Sequence, residues 1–176
     1  MANEYQSKTM RFAEAKLNDG QRILAFNDLF IGASSHISAR YKITFNKNTE
    51  EQSSSGLIVS TPAGSTGWLS SIFNMAYGVA GIFEKDLKPK RPKLKENELL
   101  FAVREPFQSI RTQTGITAGV IKNQHVLTIE SFMPANGVIF SDGIETDFLK
   151  FNSGSIATIG IATETAKIVT KRQKKD

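Results

Sequence analysis

Only one stretch of this chain repeats its apolar residues at helical spacing: Leu69, Ile72, Phe73, Ala76, Ala80 and Phe83. Residues three and four apart share a helix face, so a single helix is predicted at about 66–83, with Ser65 or Thr66 placed to cap it. Nearly everything else reads with a period of two. In 37–45, Ile37, Ala39, Tyr41, Ile43 and Phe45 alternate with polar partners, which marks a strand with one wet face. Leu57-Ile58-Val59 and Leu99-Leu100-Phe101-Ala102-Val103 are continuous apolar runs and suit strands covered on both faces. Further strands are predicted at 116–122, 125–132, 138–141, 144–151 and 156–169. Asn123-Gln124 and Asp142-Gly143 are predicted hairpin turns. Many strands around one helix predict a mainly β protein, a β-sandwich rather than alternating βαβ units. The helix should end in the Gly78, Gly81 and Pro-rich region that follows it.

Composition removes several chemistries. With 176 residues and 40% apolar content, one packed domain is expected. The absence of Cys excludes disulfides, thiol catalysis and Cys-based zinc sites. His36 and His125 have no ligand-spaced partner, no metal ligands are predicted, and no Ser-His-Asp arrangement can be argued from two isolated His. No apolar run approaches the roughly 20 residues of a spanning helix. The first residues lack a signal-peptide pattern, so a soluble cytoplasmic protein with no membrane partner is expected.

The net charge of +5 is concentrated. Six of the 22 basic residues fall within 85–95, beside Pro89 and Pro92, and four more lie in 171–176. One reading is a solvated loop and a basic tail; the other is attraction for phosphates or nucleic acid. Without aromatics among these cations, base stacking is not indicated and nucleic acid is not expected as a partner. The first 20 residues show no persuasive element, although Phe12, Ala13, Ala15 and Leu17 suggest the start of one. Residues 1–20 therefore read as a remnant or linker, 21–170 as the domain, and 171–176 as a tail.

Two places invite a ligand. From Ser53 to Trp68, a buried strand delivers a turn of small and hydroxyl residues onto the helix start. Free backbone N–H groups gather there, and Ala63, Gly64 and Gly67 permit close backbone approach. Trp68, the only Trp, offers a surface for a base. A plain capped turn with a core Trp is the other reading. Asn27-Asp28 interrupts the apolar run from Ile23 to Ile31, and an unpaired carboxylate buried there would cost several kcal/mol, on the order of an uncompensated charge. These two are either hydrogen-bonded inside the fold or face a ligand. Asp142-Gly143 reads more simply as a turn, and Arg104-Glu105 as an ion pair or loop anchor.

Together these residues resemble the C-terminal half of the NAD kinase family, in the superfamily shared with diacylglycerol kinases. Ser55 to Trp68 is similar to the family block Asp-Gly-Leu-Ile-Val-Ser-Thr-Pro-Thr-Gly-Ser-Thr-Ala-Tyr. Asn27-Asp28 resembles its Asn-Glu pair, and Ser141-Asp142-Gly143 its late Asp-Gly turn. Ser54-Ser55-Gly56, Trp68 and Phe101-Ala102-Val103-Arg104-Glu105-Pro106 most resemble the mitochondrial-type branch and its bacterial relatives. The similarity runs from about Gln21 to Val169.

The resemblance implies a β-sandwich that binds NAD(H), the substrate, between domains and against a neighbouring subunit. Asn27 and Asp28 would hold the adenosine ribose near the 2′-hydroxyl that receives phosphate. Thr66, Gly67, Trp68 and Ser71 would bind the dinucleotide. ATP with Mg²⁺, a homo-oligomer and an N-terminal-domain partner chain are implied in the same way. Departures accompany the match: Asp28 is a methylene shorter than Glu, Ser55 replaces an acidic residue, and Ile72-Phe73-Asn74 replaces a Gly-rich run. The family's Gly-Gly-Asp-Gly motif, which supplies the activating carboxylate and donor loop, has no counterpart in these 176 residues. The chain alone is therefore expected to carry no catalytic residue and to bind NAD weakly or with a partner. A non-catalytic nucleotide-binding or oligomerisation module, or a lipid or sugar kinase of the same superfamily, are the competing expectations.

Overall fold

A computed structural model describes residues 5–84, 88, 90–122 and 125–171. Twelve strands are described: β1 (Tyr5–Leu17), β2 (Arg22–Ala25), β3 (Asp28–Ala33), β4 (Ala39–Phe45), β5 (Asn48–Ser54) and β6 (Leu57–Ser60), then β7 (Glu98–Val103), β8 (Ala118–Lys122), β9 (Leu127–Ser131), β10 (Gly137–Ser141), β11 (Phe148–Lys150) and β12 (Ile156–Lys171). They form two six-stranded sheets, ordered β2-β1-β12-β9-β4-β5 and β11-β10-β3-β6-β7-β8. Every ladder is antiparallel. One helix, α1 (Trp68–Ala80), follows a short 3₁₀ turn at Gly64–Thr66. Over the described residues the protein is a mainly β sandwich with a single helix. Among the described residues, no helix is long and apolar enough to cross a membrane.

The alternation in β4 turns Ala39, Tyr41, Ile43 and Phe45 inward, as its period requires. They meet Leu29, Ile31, Leu57, Val59, Phe101 and Ile139 from the second sheet in one core. That second sheet is also covered outside. Phe30, Ile58, Val138 and Phe140 pack under Trp68 and Ile72, while Leu100 and Ala102 pack under Leu69 and Phe73. Coverage on both faces explains why β6 and β7 have continuous apolar sequences.

Several expectations change. Within the segment 1–20, Tyr5–Leu17 is a strand and not a linker: β1 pairs with both β12 and β2, and Ala13 and Ala15 are fully buried. A register shift between Arg11 and Ala13 breaks the period that would have revealed the strand. Polar β5 carries almost no apolar signal, yet it forms a sheet edge after a turn in which Asn46 and Lys47 both have positive φ. Lys171 ends β12 rather than opening a tail, and the rest of the tail and Asn123-Gln124 lie outside the described residues. Asp142-Gly143 does turn the chain, with φ of 53° and 75°, but the next strand begins only at Phe148, so the connection spans six residues and is not a two-residue hairpin turn.

The helix is shorter than 66–83, and neither Ser65 nor Thr66 caps it. Gly67 stands at its start, its N–H bonded to Gly64 O in the 3₁₀ turn, and the Ser65 hydroxyl already donates to Pro62 O at 2.8 Å. The predicted apolar face is only partly buried. Leu69 reaches the sheet, but Ala76 is exposed and Phe83 lies beyond the helix, almost fully exposed.

Candidate functional site

Three segments far apart in sequence are tied together at one end of the second sheet. The chain leaves β2 at Ala25 and enters β3 at Asp28, so Phe26 and Asn27 form a break whose backbone groups need partners. Asp142 supplies them. Its carboxylate accepts from the N–H groups of Phe26 (3.0 Å), Asn27 (2.6 Å) and Asp28 (3.2 Å), while its own N–H donates to Asp28 O at 2.9 Å. Thr61 closes the other side. Its hydroxyl donates to Phe26 O at 2.6 Å and its N–H to Asn27 O at 2.9 Å. The same hydroxyl accepts from Ala63 N–H (3.1 Å) and Gly64 N–H (3.3 Å), shaping the turn into α1.

Gly64 backs directly onto this break. A Cβ there would collide with the Asn27 carbonyl and come within 2.7 Å of Asp28 Oδ1, so only glycine fits. Asp28 Oδ2 lies on the Gly67 side, 3.9 Å from where a Gly67 Cβ would stand. The carboxylate thus sits against the entry to α1, where the exposed N–H dipoles favour negative charge. Burial pushes the Asp28 carboxyl above its ordinary value. The Asp142 carboxylate adds to that rise. Ser60 Oγ donates to Thr61 O at 3.2 Å, and the buried Asp28 Oδ1 has no hydrogen-bond partner.

The six residues expected to bind substrate divide into groups. Asn27, Asp28 and Gly67 meet at the entry to α1. Thr66 and Ser71 are exposed around the helix's first turn. Trp68 turns toward the sheet, stacked on Phe30 with centroids 5.6 Å apart and planes 3° from parallel. The Arg104 guanidinium lies over its ring, 5.3 Å from the centroid. Trp68 therefore has aromatic and cationic partners within the fold. It also lines a cavity of about 1010 Å³ on the outer face of the second sheet, with Phe30, Phe140, Arg104, Phe148 and Lys150. The other five expected residues do not line that cavity.

The reading from single residues underrates two side chains. Asp142 is a turn residue, but its carboxylate also holds the Asn27-Asp28 backbone. Only its place in the late Asp-Gly motif hints at this. Arg104 lies 3.8 Å from Glu105, as an ion pair would, yet it also covers Trp68. Glu105 has φ of 41°, a left-handed conformation unusual for that residue, in the loop following β7.

Among the described residues, no group of three or more His, Asp or Glu is placed to hold a metal ion. Asp28 and Asp142 do not make an Mg²⁺ site between them. Asp142 accepts backbone bonds through both oxygens, and Asp28 Oδ1 is sealed from solvent. No protein-family model and no curated protein sequence matches the chain.

Proposed function

We propose that this chain is the nucleotide-binding C-terminal half of an NAD kinase-type phosphotransferase. In that reading it presents the adenosine ribose of NAD(H) for phosphorylation at the 2′-hydroxyl. The carrying observation is convergence: Asn27-Asp28, the Thr61–Gly67 turn and Asp142, separate in sequence, are knit into one site by backbone and carboxylate hydrogen bonds. These are the three places where the sequence resembles the family. Asp28 Oδ2 would accept a ribose hydroxyl, and the Asn27 amide would take the neighbouring one. A neutral hydroxyl donor suits this position better than a phosphate, because the carboxylate already occupies the field at the helix entry. Thr66, Gly67, Trp68 and Ser71 would border the rest of the dinucleotide, and a homo-oligomer is proposed with it.

Asp142 is spent on the backbone through both oxygens, and one oxygen of Asp28 is sealed against Gly64, so this pair offers only Asp28 Oδ2 to a hydroxyl. Phosphoryl transfer rests on positioning and charge stabilisation, and the Gly-Gly-Asp-Gly carboxylate and donor loop would have to come from residues outside these 176. This observation also favours the second reading, a nucleotide-binding module without chemistry. Thermal shift of the purified chain against millimolar NAD, NADH, ATP and a lipid headgroup tests the proposal, because a ligand of the native state raises Tm. A rise with NAD or NADH is expected. A rise only with the lipid headgroup would refute the dinucleotide reading. Conversion of NAD and ATP to NADP by this chain alone, at ordinary kinase rates, would refute the division of labour.

A further inference from the structure

We infer that the exposed side of α1, with the basic segment fastened beside it, is a peripheral docking surface for an anionic lipid bilayer. Leu69 turns into the sheet, but Met75, Val79, Ile82 and Phe83 stand away from it. Their exposures are 47%, 55%, 75% and 86%. Met75, Val79 and Ile82 follow at i, i+4 and i+7 along one flank of α1 and the turn ending it, and Phe83 completes the tip. The opposite flank carries the basic segment. The Tyr77 hydroxyl donates to Lys90 O at 2.7 Å and accepts from Lys90 N–H at 2.8 Å. Arg91 donates to Asn74 Oδ1 at 2.6 Å. Lys88, Lys90, Arg91, Lys93 and Lys95 are exposed, and among the described residues none lies within ion-pair distance of a carboxylate. The described residues of 84–96 carry five basic and two acidic side chains, a net charge of +3.

The charge selects the occupant. A two-fold contact with a second copy would press two cationic segments together. A nucleic acid would meet the cations but leave Ile82 and Phe83 in water, with no aromatic interleaved among the cations to stack a base. An anionic bilayer satisfies both features: apolar tips enter the interface while Lys and Arg meet the headgroups. The expectation of no membrane partner rested on the lack of a spanning segment, and lying on a bilayer requires none. This inference is independent of the dinucleotide reading.

Vesicle co-sedimentation of the full 176-residue chain tests it, comparing phosphatidylcholine alone with phosphatidylcholine plus phosphatidylserine. Binding to the anionic vesicles, weakened by salt, is the expected result. The double variants Ile82→Asp/Phe83→Asp and Lys88→Glu/Lys93→Glu should each lower partitioning about tenfold or more at unchanged Tm. No preference for anionic vesicles, or equal binding by both variants, overturns the inference. So does concentration-dependent dimerisation abolished by the Asp pair, which would assign the surface to a second copy. Nucleic-acid or acidic-protein binding that survives the Asp pair, without vesicle binding, overturns it as well.

Discussion

The two sheets share antiparallel pairing and strand number but bury their faces differently. In the first sheet, β4 keeps its apolar residues inward and leaves Arg40 exposed and Lys42 and Thr44 partly so. Lys42 pairs with Glu130 across the β4–β9 ladder, on the side away from the core. The second sheet is covered on its inner face by the first and on its outer face by α1. Five of the six expected ligand residues lie on the second sheet or on the turn and helix that cover it, and Asn27 sits in the link from β2 that leads into that sheet. The wet-faced sheet acts as a platform, while the doubly covered sheet holds the candidate chemistry where its geometry is most constrained.

Substitutions can break or sharpen that contrast. The largest loss is expected in the doubly covered sheet. Phe101→Ala removes a fully buried ring packed edge-on to Phe45 at 4.9 Å and should cost about 3–5 kcal/mol in urea denaturation. Gly64→Ala comes next. Its Cβ has no room beside the Asn27 backbone, so about 1–3 kcal/mol should be lost, together with NAD-induced thermal stabilisation. Gly67→Ala is the control: its Cβ would meet Gly64 O at 3.4 Å, an ordinary contact, and its effect should stay below about 1 kcal/mol.

Asp28→Asn should act in the opposite direction. The folded state holds this carboxyl above its ordinary value, mainly by burial. Folding therefore favours the protonated form, and the wild type loses stability as pH rises from the ordinary carboxylate value through the raised one. The Asn variant should show a higher Tm at neutral pH, and the gain should shrink as pH falls toward 3.8, the unperturbed value. A destabilised variant at pH 7 would show that the carboxylate is needed for folding. The smallest effect belongs to the wet face of the first sheet. Lys42→Ala removes a partly exposed ion pair and should change stability by less than about 1 kcal/mol.

Legibility in the sequence followed coverage. Strands β4, β6 and β7 were readable because Tyr41, Ile43, Ile58 and Phe101 sit in unbroken patterns. Strand β1 was hidden by its register shift. Strand β5 was hidden because its buried side chains are polar. Gln52 accepts from the Tyr41 hydroxyl at 2.9 Å, and Ser54 Oγ lies 2.7 Å from the same oxygen. Fully buried Tyr41 thus draws two polar side chains inward, a relationship no hydropathy pattern encodes. At the site, Asn27-Asp28 and the small-residue turn were visible as local anomalies. Their attachment to Asp142 was not, because it joins backbone to carboxylate across 114 to 116 residues. The stacking of Trp68 on Phe30 likewise depends on how α1 lies across β3.

Calorimetric titration of NAD into the wild type and Asp28→Asn, side by side at pH 7, tests the dinucleotide reading most directly. The account predicts heat of binding for the wild type and an affinity about tenfold weaker or more in the variant, the scale of one hydrogen bond to a charged acceptor, although the variant is the more stable protein. Equal affinity in the two proteins, or no binding by the wild type at millimolar NAD, would contradict it.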